Sequence, residues 1–94
     1  MKAIKLSFAE YENNMTGGYR VALYVSREKD DHWYRENKDG TWSHKLGTYP
    51  VTNREVLGID PKKNLIYGDI ITDPNTAAEK AGYSVFVGYY YVSQ

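Results

Sequence analysis

The two histidines of this chain, His32 and His44, are the side chains best suited to acid–base chemistry near neutral pH. Both lie in one stretch, DHWYRENKDGTWSHK, which runs from Asp31 to Lys45 and also holds both tryptophans. Imidazole titrates near neutrality, so two histidines on one face with a tyrosine between them could act as general acid and general base. Whether they share a face depends on the turn that separates them.

The turn between the histidines predicts their relative orientation. Its sequence, ENKDGT, is typical of a type I hairpin turn in which Gly40 is left-handed and forms a G1 bulge. Asn37 then pairs with Thr41, and Tyr34 lies opposite His44. Side chains in a strand alternate between faces, so one face would carry His32, Tyr34, Glu36, Trp42 and His44, and the other would carry Trp33, Arg35, Ser43 and Lys45. The histidines would be diagonal neighbours at ~7–8 Å, whereas a loop one residue shorter or longer would place them on opposite faces.

Several kinds of chemistry fit this arrangement. His32 and His44 could be the acid and base of a metal-free hydrolase or nuclease, with Glu36 orienting one ring. Arg35 and Lys45 could neutralise a phosphoryl oxyanion, but the predicted alternation puts them on the other face. The alternative is structural: both imidazoles are hydrogen-bonded inside a small core or stack on the two tryptophans.

The sequence favours neither a metal nor a cofactor. Ordered zinc sites usually take three or four protein ligands, more than two histidines supply. The chain has no P-loop, no dinucleotide-binding fingerprint and no serine nucleophile elbow. We therefore expect no metal and no cofactor.

Length and composition limit the protein class. The 94 residues predict a single domain, residues 1–94, and the absence of cysteine excludes disulfides and a thiol nucleophile in this chain. The formal net charge of +0 does not favour nucleic acid as a partner. Without a long apolar run or a signal-peptide pattern, the expectation is a cytoplasmic protein of a bacterium or of an infected host cell, with no membrane contact.

The hydrophobic pattern predicts an α+β fold, a small and mostly antiparallel sheet of about four to seven strands with one short helix. The helix is expected over residues 74–81, with Asp73 as N-cap, Pro74 in the first turn and Gly82 at the stop. Tyr19 to Ser26 is the expected central strand. The other strands are expected at Lys2 to Phe8, in the histidine hairpin, at Val56 to Ile59, at Leu65 to Tyr67, and at Tyr83 to Val92, where Gly88 marks a bend, bulge or close contact.

Parts of the chain resemble the C-terminal portion of a group of uncharacterised bacterial proteins. The shared features are HWYRENKDGTWSHKLG, then PVTN, ITDPNTA and the closing YSVFVGYYYV. The group's pattern is H-[WF]-Y-R-Q-x-x-D-G-x-W-S-H-K-P-G, so His32, His44 and Asp73-Pro74 match, while Leu46 replaces a proline. Longer members have an upstream cysteine segment that looks papain-like or NlpC/P60-like.

The resemblance implies that one of the histidines would activate a thiol that this chain does not contain. This favours a small non-catalytic binding or inhibitory protein, such as a phage-encoded accessory factor acting on a host system. Its aromatic and histidine-bearing hairpin would hold a protein partner or a small ligand. The expected binding residues are His32, Tyr34, Trp42, His44, Trp33 and Lys45. A homo-oligomer paired through the sheet edge at Lys2 to Phe8 or at Tyr83 to Val92 is a further hypothesis.

Overall fold

A computed structural model of the chain describes residues 2–7, 10 and 17–93. Its elements, in chain order, are β1 (Lys2–Lys5), β2 (Gly18–Val25), β3 (Asp31–Glu36), β4 (Trp42–Ser43), β5 (Arg54–Ile59), β6 (Leu65–Ile70), α1 (Pro74–Lys80) and β7 (Val85–Ser93). The predicted α+β fold with a mostly antiparallel sheet and a short helix is confirmed. Residues 8, 9 and 11–16, which include the end of the first predicted strand, lie outside the described residues.

Five strands form the main sheet, in the order β1-β7-β2-β3-β4. Each neighbouring pair is antiparallel, and β2 lies at the centre as expected. β1 is an edge strand, also as expected. The prediction that Tyr83 to Val92 offers a sheet edge is wrong, because β7 lies between β1 and β2. Alternation of side chains marks a strand, but it does not say which strands become its neighbours.

The remaining strands, β5 and β6, form a separate antiparallel hairpin. The predicted turn is present between them, where the Asp60 side chain accepts hydrogen bonds from the backbone N–H groups of Lys62 (2.9 Å) and Asn64 (2.8 Å). The hairpin is longer than predicted, because β5 begins at Arg54 and β6 continues to Ile70.

The helix α1 begins and ends as its sequence predicts, to within one residue. Asp73 accepts a hydrogen bond from the N–H of Asn75 (2.9 Å), which satisfies one of the free donors of the first turn. Gly82, just beyond the end, has a φ of +90°, which glycine adopts without strain. The buried side chains of α1 are Pro74, Ala77 and Ala78. No helix among the described residues has the length and apolar character needed to cross a membrane.

The hydrophobic core lies between the main sheet and α1. Its buried members are Ala22, Tyr24, Tyr34, Trp42, Ile71, Ala77 and Ala78, with Tyr83 and Tyr89 packed against them. The Tyr24 hydroxyl donates to the Asn75 side chain at the start of α1, which ties the centre of the sheet to the helix. The face of the main sheet toward α1 is called the inner face below, and it includes Ala22, Tyr24, His32, Tyr34, Trp42 and His44.

Candidate functional site

The turn of the β3–β4 hairpin has the predicted geometry. The N–H of Asn37 donates to the carbonyl of Thr41 (2.7 Å), and the N–H of Gly40 donates to the carbonyl of Asn37 (3.1 Å). Gly40 is left-handed, with a φ of +88°. Arg35 pairs with Ser43, so the predicted register is confirmed. Local turn chemistry alone was sufficient to predict which residues of the hairpin share a face.

The inner residues of the hairpin are brought together and buried. The exposed fractions are 6% for His32, 0% for Tyr34, 3% for Trp42 and 4% for His44. Beyond β4 the chain leaves β3, and the backbone of His44 instead pairs with that of Thr52. These four side chains therefore belong to the core, and whether any of them binds a ligand stays a prediction.

The histidines form a continuous chain of hydrogen bonds. Nε2 of His44 lies 2.8 Å from the carbonyl oxygen of Arg54, and Nδ1 of His44 lies 2.8 Å from Nε2 of His32. A carbonyl can only accept, so Nε2 of His44 carries a hydrogen, and in the neutral ring Nδ1 is then an acceptor. Nε2 of His32 must therefore donate to it. The carbonyl of Arg54 in β5 thus determines the tautomers of both rings: each carries its hydrogen on Nε2.

Two tyrosines sandwich the histidine pair. The ring of Tyr34 stacks on His44 with centroids 4.7 Å apart, and the ring of Tyr83 stacks on His32 with centroids 4.6 Å apart. The alternative that the imidazoles are hydrogen-bonded in a small core describes this arrangement, except that tyrosines replace the expected tryptophans. Sequence reasoning missed Tyr83, whose aromatic character at the start of the last predicted strand was the available signal.

Burial holds both imidazoles in the neutral form. Removal from water, and secondarily the neighbouring His44, lowers the pKa of His32 from 6.5 to about 4. Burial also lowers the pKa of His44, although its hydrogen bond to the backbone of Arg54 acts in the opposite direction. Both rings are therefore uncharged near pH 7. If the pair acted in a hydrolase, the substrate would have to displace the ring of Tyr83. It would also have to replace the hydrogen bonds that the two histidines already make.

The hydroxyl of Tyr34 is a buried polar group for which the described residues provide no hydrogen-bond partner. Burial, followed by the neighbouring Tyr83 and Glu55, raises the pKa of Tyr34. The phenol therefore stays protonated. It is an exception to the usual pairing of buried polar atoms.

Glu55 is a buried charged residue that sequence reasoning did not single out. Only 7% of it is exposed, and its carboxylate accepts hydrogen bonds from the amine of Lys80 (3.0 and 3.1 Å) and from the N–H of Asp69 (3.2 Å). The contact joins β5 to the last turn of α1, so its role is to hold two elements together. Within the part of the chain that the structure describes, no three His, Asp or Glu side chains gather as metal ligands would.

The opposite face of the main sheet carries exposed aromatic and cationic side chains. Trp33 is 45% exposed, and its ring leans on Tyr90 with centroids 5.5 Å apart. The guanidinium of Arg35 lies 3.9 Å from the centre of the Tyr19 ring. We call this the outer face; its residues include Tyr19, Val21, Leu23, Trp33, Arg35 and Tyr90. Lys45 is exposed, and its amine donates to the carbonyl of Gly47.

A groove of about 330 Å³ runs beside β5 and the end of α1. Its walls are apolar, and its basic side chain, Lys80, is already bound to Glu55. The groove therefore has no unpaired charge to select a ligand.

The fold and the site define a class: a small α+β protein with a closed aromatic–histidine core and an exposed aromatic sheet face. The chain is 38% identical over 69 residues to insoluble matrix shell protein 1 of Ruditapes philippinarum. The alignment covers 73% of this chain but 39% of that protein, so the chain spans well under half of its relative. No family model matches the chain, and no solved structure matches it.

This similarity corrects two expectations from the sequence. The resemblance to bacterial papain-like proteins is contradicted, because the relative is a shell protein of a mollusc. A short pattern in a hairpin reflects turn chemistry as well as descent, and it misled here. The expected cytoplasmic location is also contradicted, because a shell matrix protein is secreted and extracellular. The similarity supports neither a phage nor a bacterial source.

Proposed function

We propose that this chain is a non-catalytic binding module that holds a protein partner on the outer face of its main sheet. The observation that supports this most is the exposure of Trp33, a large aromatic side chain on β3 that is 45% accessible on the outer face of the main sheet. An exposed tryptophan has a large apolar area in contact with water. Covering that area by a partner gives a large favourable free energy of binding. A partner that covers it would bind mainly through this residue.

The composition of the outer face favours a protein as the partner. Trp, Tyr and Arg are enriched among the residues that dominate binding energy at protein interfaces. The outer face presents all three kinds in two contact pairs, Trp33 with Tyr90 and Arg35 with Tyr19. These contacts hold the rings in place before binding, so little side-chain freedom is lost when a partner docks.

The inner residues of the hairpin support this face rather than touch the partner. His32 and Tyr34 alternate with Trp33 along β3, and their burial fixes the strand on which Trp33 is displayed. His32 is hydrogen-bonded to His44, and His44 is hydrogen-bonded to the backbone carbonyl of Arg54. In this proposal the expected binding residues divide into a buried support and an exposed contact surface that includes Trp33 and Lys45.

The relative suggests where such a module would work. Its name describes a protein of an insoluble shell matrix. We extend this to the present chain as a proposal: the module anchors a secreted protein to a protein component of an insoluble extracellular matrix.

The test is co-sedimentation of the purified chain with the insoluble protein matrix of its source organism. We expect the unchanged chain to sediment with the matrix and Trp33→Ala to bind at least about tenfold more weakly. Ile66→Ala is the matched control, because Ile66 is also large, apolar and 46% exposed but lies on the β5–β6 hairpin. Circular dichroism checks that each variant is folded.

Tryptophan fluorescence gives a second readout. Trp42 is only 3% exposed and should be insensitive to binding, whereas emission from Trp33 should shift to the blue when a partner covers it. If Trp33→Ala sediments like the unchanged chain, or if Ile66→Ala loses binding to the same extent, the outer face is not the binding surface.

A further inference from the structure

We infer that the partner segment on the outer face is an acidic polypeptide, with an apolar or aromatic side chain placed between two carboxylates. The partner so defined is a narrower case of the proposed function and depends on it.

One row of outer-face residues crosses four strands of the main sheet, β1, β7, β2 and β3. Lys5 pairs with Tyr90, Tyr90 with Val21, and Val21 with Arg35. Adjacent strands lie ~4.8 Å apart, so the backbones of Lys5 and Arg35 are separated by about 14 Å. The row therefore has a cation near each end and an aromatic and an aliphatic side chain between them.

The next row is apolar. Gly88 pairs with Leu23, and Leu23 pairs with Trp33. Gly88 leaves the space that the Lys5 side chain uses, since a Cβ there would lie 2.7 Å from Cε of Lys5. Lys5 is thus held against the sheet beside Tyr90, while Trp33 leans toward the same tyrosine from the other side.

The cations of the outer face are separated from its carboxylate. The chain has a formal net charge of +0, yet Asp31 is the one carboxylate that the described main-sheet strands place on the outer face. The other acidic residue of these strands, Glu36, is on the inner face and is bound in two hydrogen bonds to Arg20 (2.7 and 2.8 Å). The row that contains Lys5 and Arg35 is therefore locally positive and complements an anionic partner, while Asp31 lies two outer-face positions further along β3.

The backbone spacing of Lys5 and Arg35 matches the length of an extended five-residue segment. A strand rises ~3.4 Å per residue, so four residues span about 14 Å, and residues i, i+2 and i+4 point to the same side. Carboxylates at i and i+4 would reach Lys5 and Arg35, while an aromatic residue at i+2 would lie on Tyr90 and Trp33.

Nucleic acid and acidic polysaccharide are less well matched to this face. Nucleic acid requires cations that follow its phosphates, and here two are separated by apolar side chains. Near the start of β3, the outer face has a further apolar pair, Val25 and Val85. Asp31 is the neighbour of Val25 on β3. Apolar side chains at this position suit a polypeptide that carries apolar residues of its own.

The probe is a capped peptide that repeats glutamate–serine–phenylalanine–serine–glutamate. Binding is measured by fluorescence of Trp33 and by calorimetry with the complete chain. We expect saturable binding that weakens as salt is added, and loss of binding when glutamine replaces the glutamates. Polyglucuronate and oligothymidylate are the comparison ligands, and binding of either as tightly as the peptide would overturn the inference.

Variants locate the charges. Lys5→Gln and Arg35→Gln should each weaken peptide binding by about threefold or more, which is the scale of an exposed ion pair. Lys62→Gln, in the distant β5–β6 turn, removes the same charge and should leave the affinity unchanged. If Lys62→Gln and Lys5→Gln weakened binding equally, the peptide would be attracted by the net charge of the protein and not by the outer face. This result would contradict the inference.

The same variants separate failure of the inference from failure of the proposed function. If Trp33→Ala loses matrix binding while Lys5→Gln and Arg35→Gln keep it, the outer face binds a protein but not an acidic one. If Trp33→Ala keeps matrix binding, the proposed function itself fails, and the inference fails with it.

Discussion

Nε2 of His32 donates a hydrogen bond to Nδ1 of His44 over 2.8 Å, inside the core of the protein. The direction of this bond follows from the carbonyl of Arg54, which can only accept from the other nitrogen of His44. Two residues that are attractive as catalysts in the sequence thus form a neutral, internally bonded pair. Their effects should be seen first in stability.

We predict that stability falls as the pH is lowered from 6.5 to about 4. The pKa of His32 is 6.5 in the unfolded chain and is lowered to about 4 in the folded chain, mainly by burial. Between these values the unfolded state binds a proton that the folded state does not, so the free energy of unfolding decreases as the pH falls. His32 should contribute up to about 3 kcal/mol of this loss, which is complete below the folded-state pKa. Urea denaturation over this pH range measures it.

The variant His32→Phe tests the assignment. Phenylalanine keeps a ring against Tyr83 but cannot bind the proton, so the dependence of stability on pH should be flatter than in the unchanged chain. At pH 7 the variant should be less stable by about 1 kcal/mol, because Nδ1 of His44 loses its donor. An unchanged pH slope would show that other groups cause the loss.

We predict opposite effects for two tyrosine-to-phenylalanine changes in the core. The hydroxyl of Tyr34 has no partner among the described residues, so Tyr34→Phe should be neutral or should raise stability by about 1 kcal/mol. The hydroxyl of Tyr24 donates to Asn75, so Tyr24→Phe should lower stability by about 1 kcal/mol. The two rings are 2% exposed or less, so burial does not distinguish them. A marked loss in Tyr34→Phe would indicate a buried water that binds its hydroxyl.

We predict that two glycine-to-alanine changes differ in cost because their physical causes differ. A Cβ on Gly18 would lie 2.2 Å from the carbonyl oxygen of Val92, which is backbone and cannot move aside without disturbing β7. Gly18→Ala should therefore cost about 3 kcal/mol or prevent folding. Gly40 has open space around it but a φ of +88°, so Gly40→Ala should cost only about 1 kcal/mol. Thermal unfolding of both variants gives the comparison, and equal costs would contradict the close approach of β2 to β7.

Much of the local structure could be predicted from the sequence, because it depends on residues that are close in the chain. Gly40 and its neighbours define the hairpin turn, and alternation then places His32, Tyr34 and His44 on one side. Asp73 and Gly82 define the limits of α1 in the same way. These features follow from backbone geometry and short-range hydrogen bonds.

The order of the strands could not be predicted from the same patterns. β7 follows α1 in sequence, yet it inserts between β1 and β2. Strand pairing over such separations depends on how the whole set of apolar faces is buried, and alternation along one strand does not encode its neighbours. The expected edge at Tyr83 to Val92 failed for this reason.

The sequence by itself determined that His32, Tyr34, Trp42 and His44 lie on one face of a hairpin, because a single turn sets that register. Only the tertiary structure decided that this face is the buried one and that Trp33 faces outward. Tyr83, remote in the chain, stacks on His32, and the backbone of Arg54 accepts a hydrogen bond from His44. Burial is a property of elements packed together, so the difference between a reactive histidine pair and a neutral structural one is decided by packing.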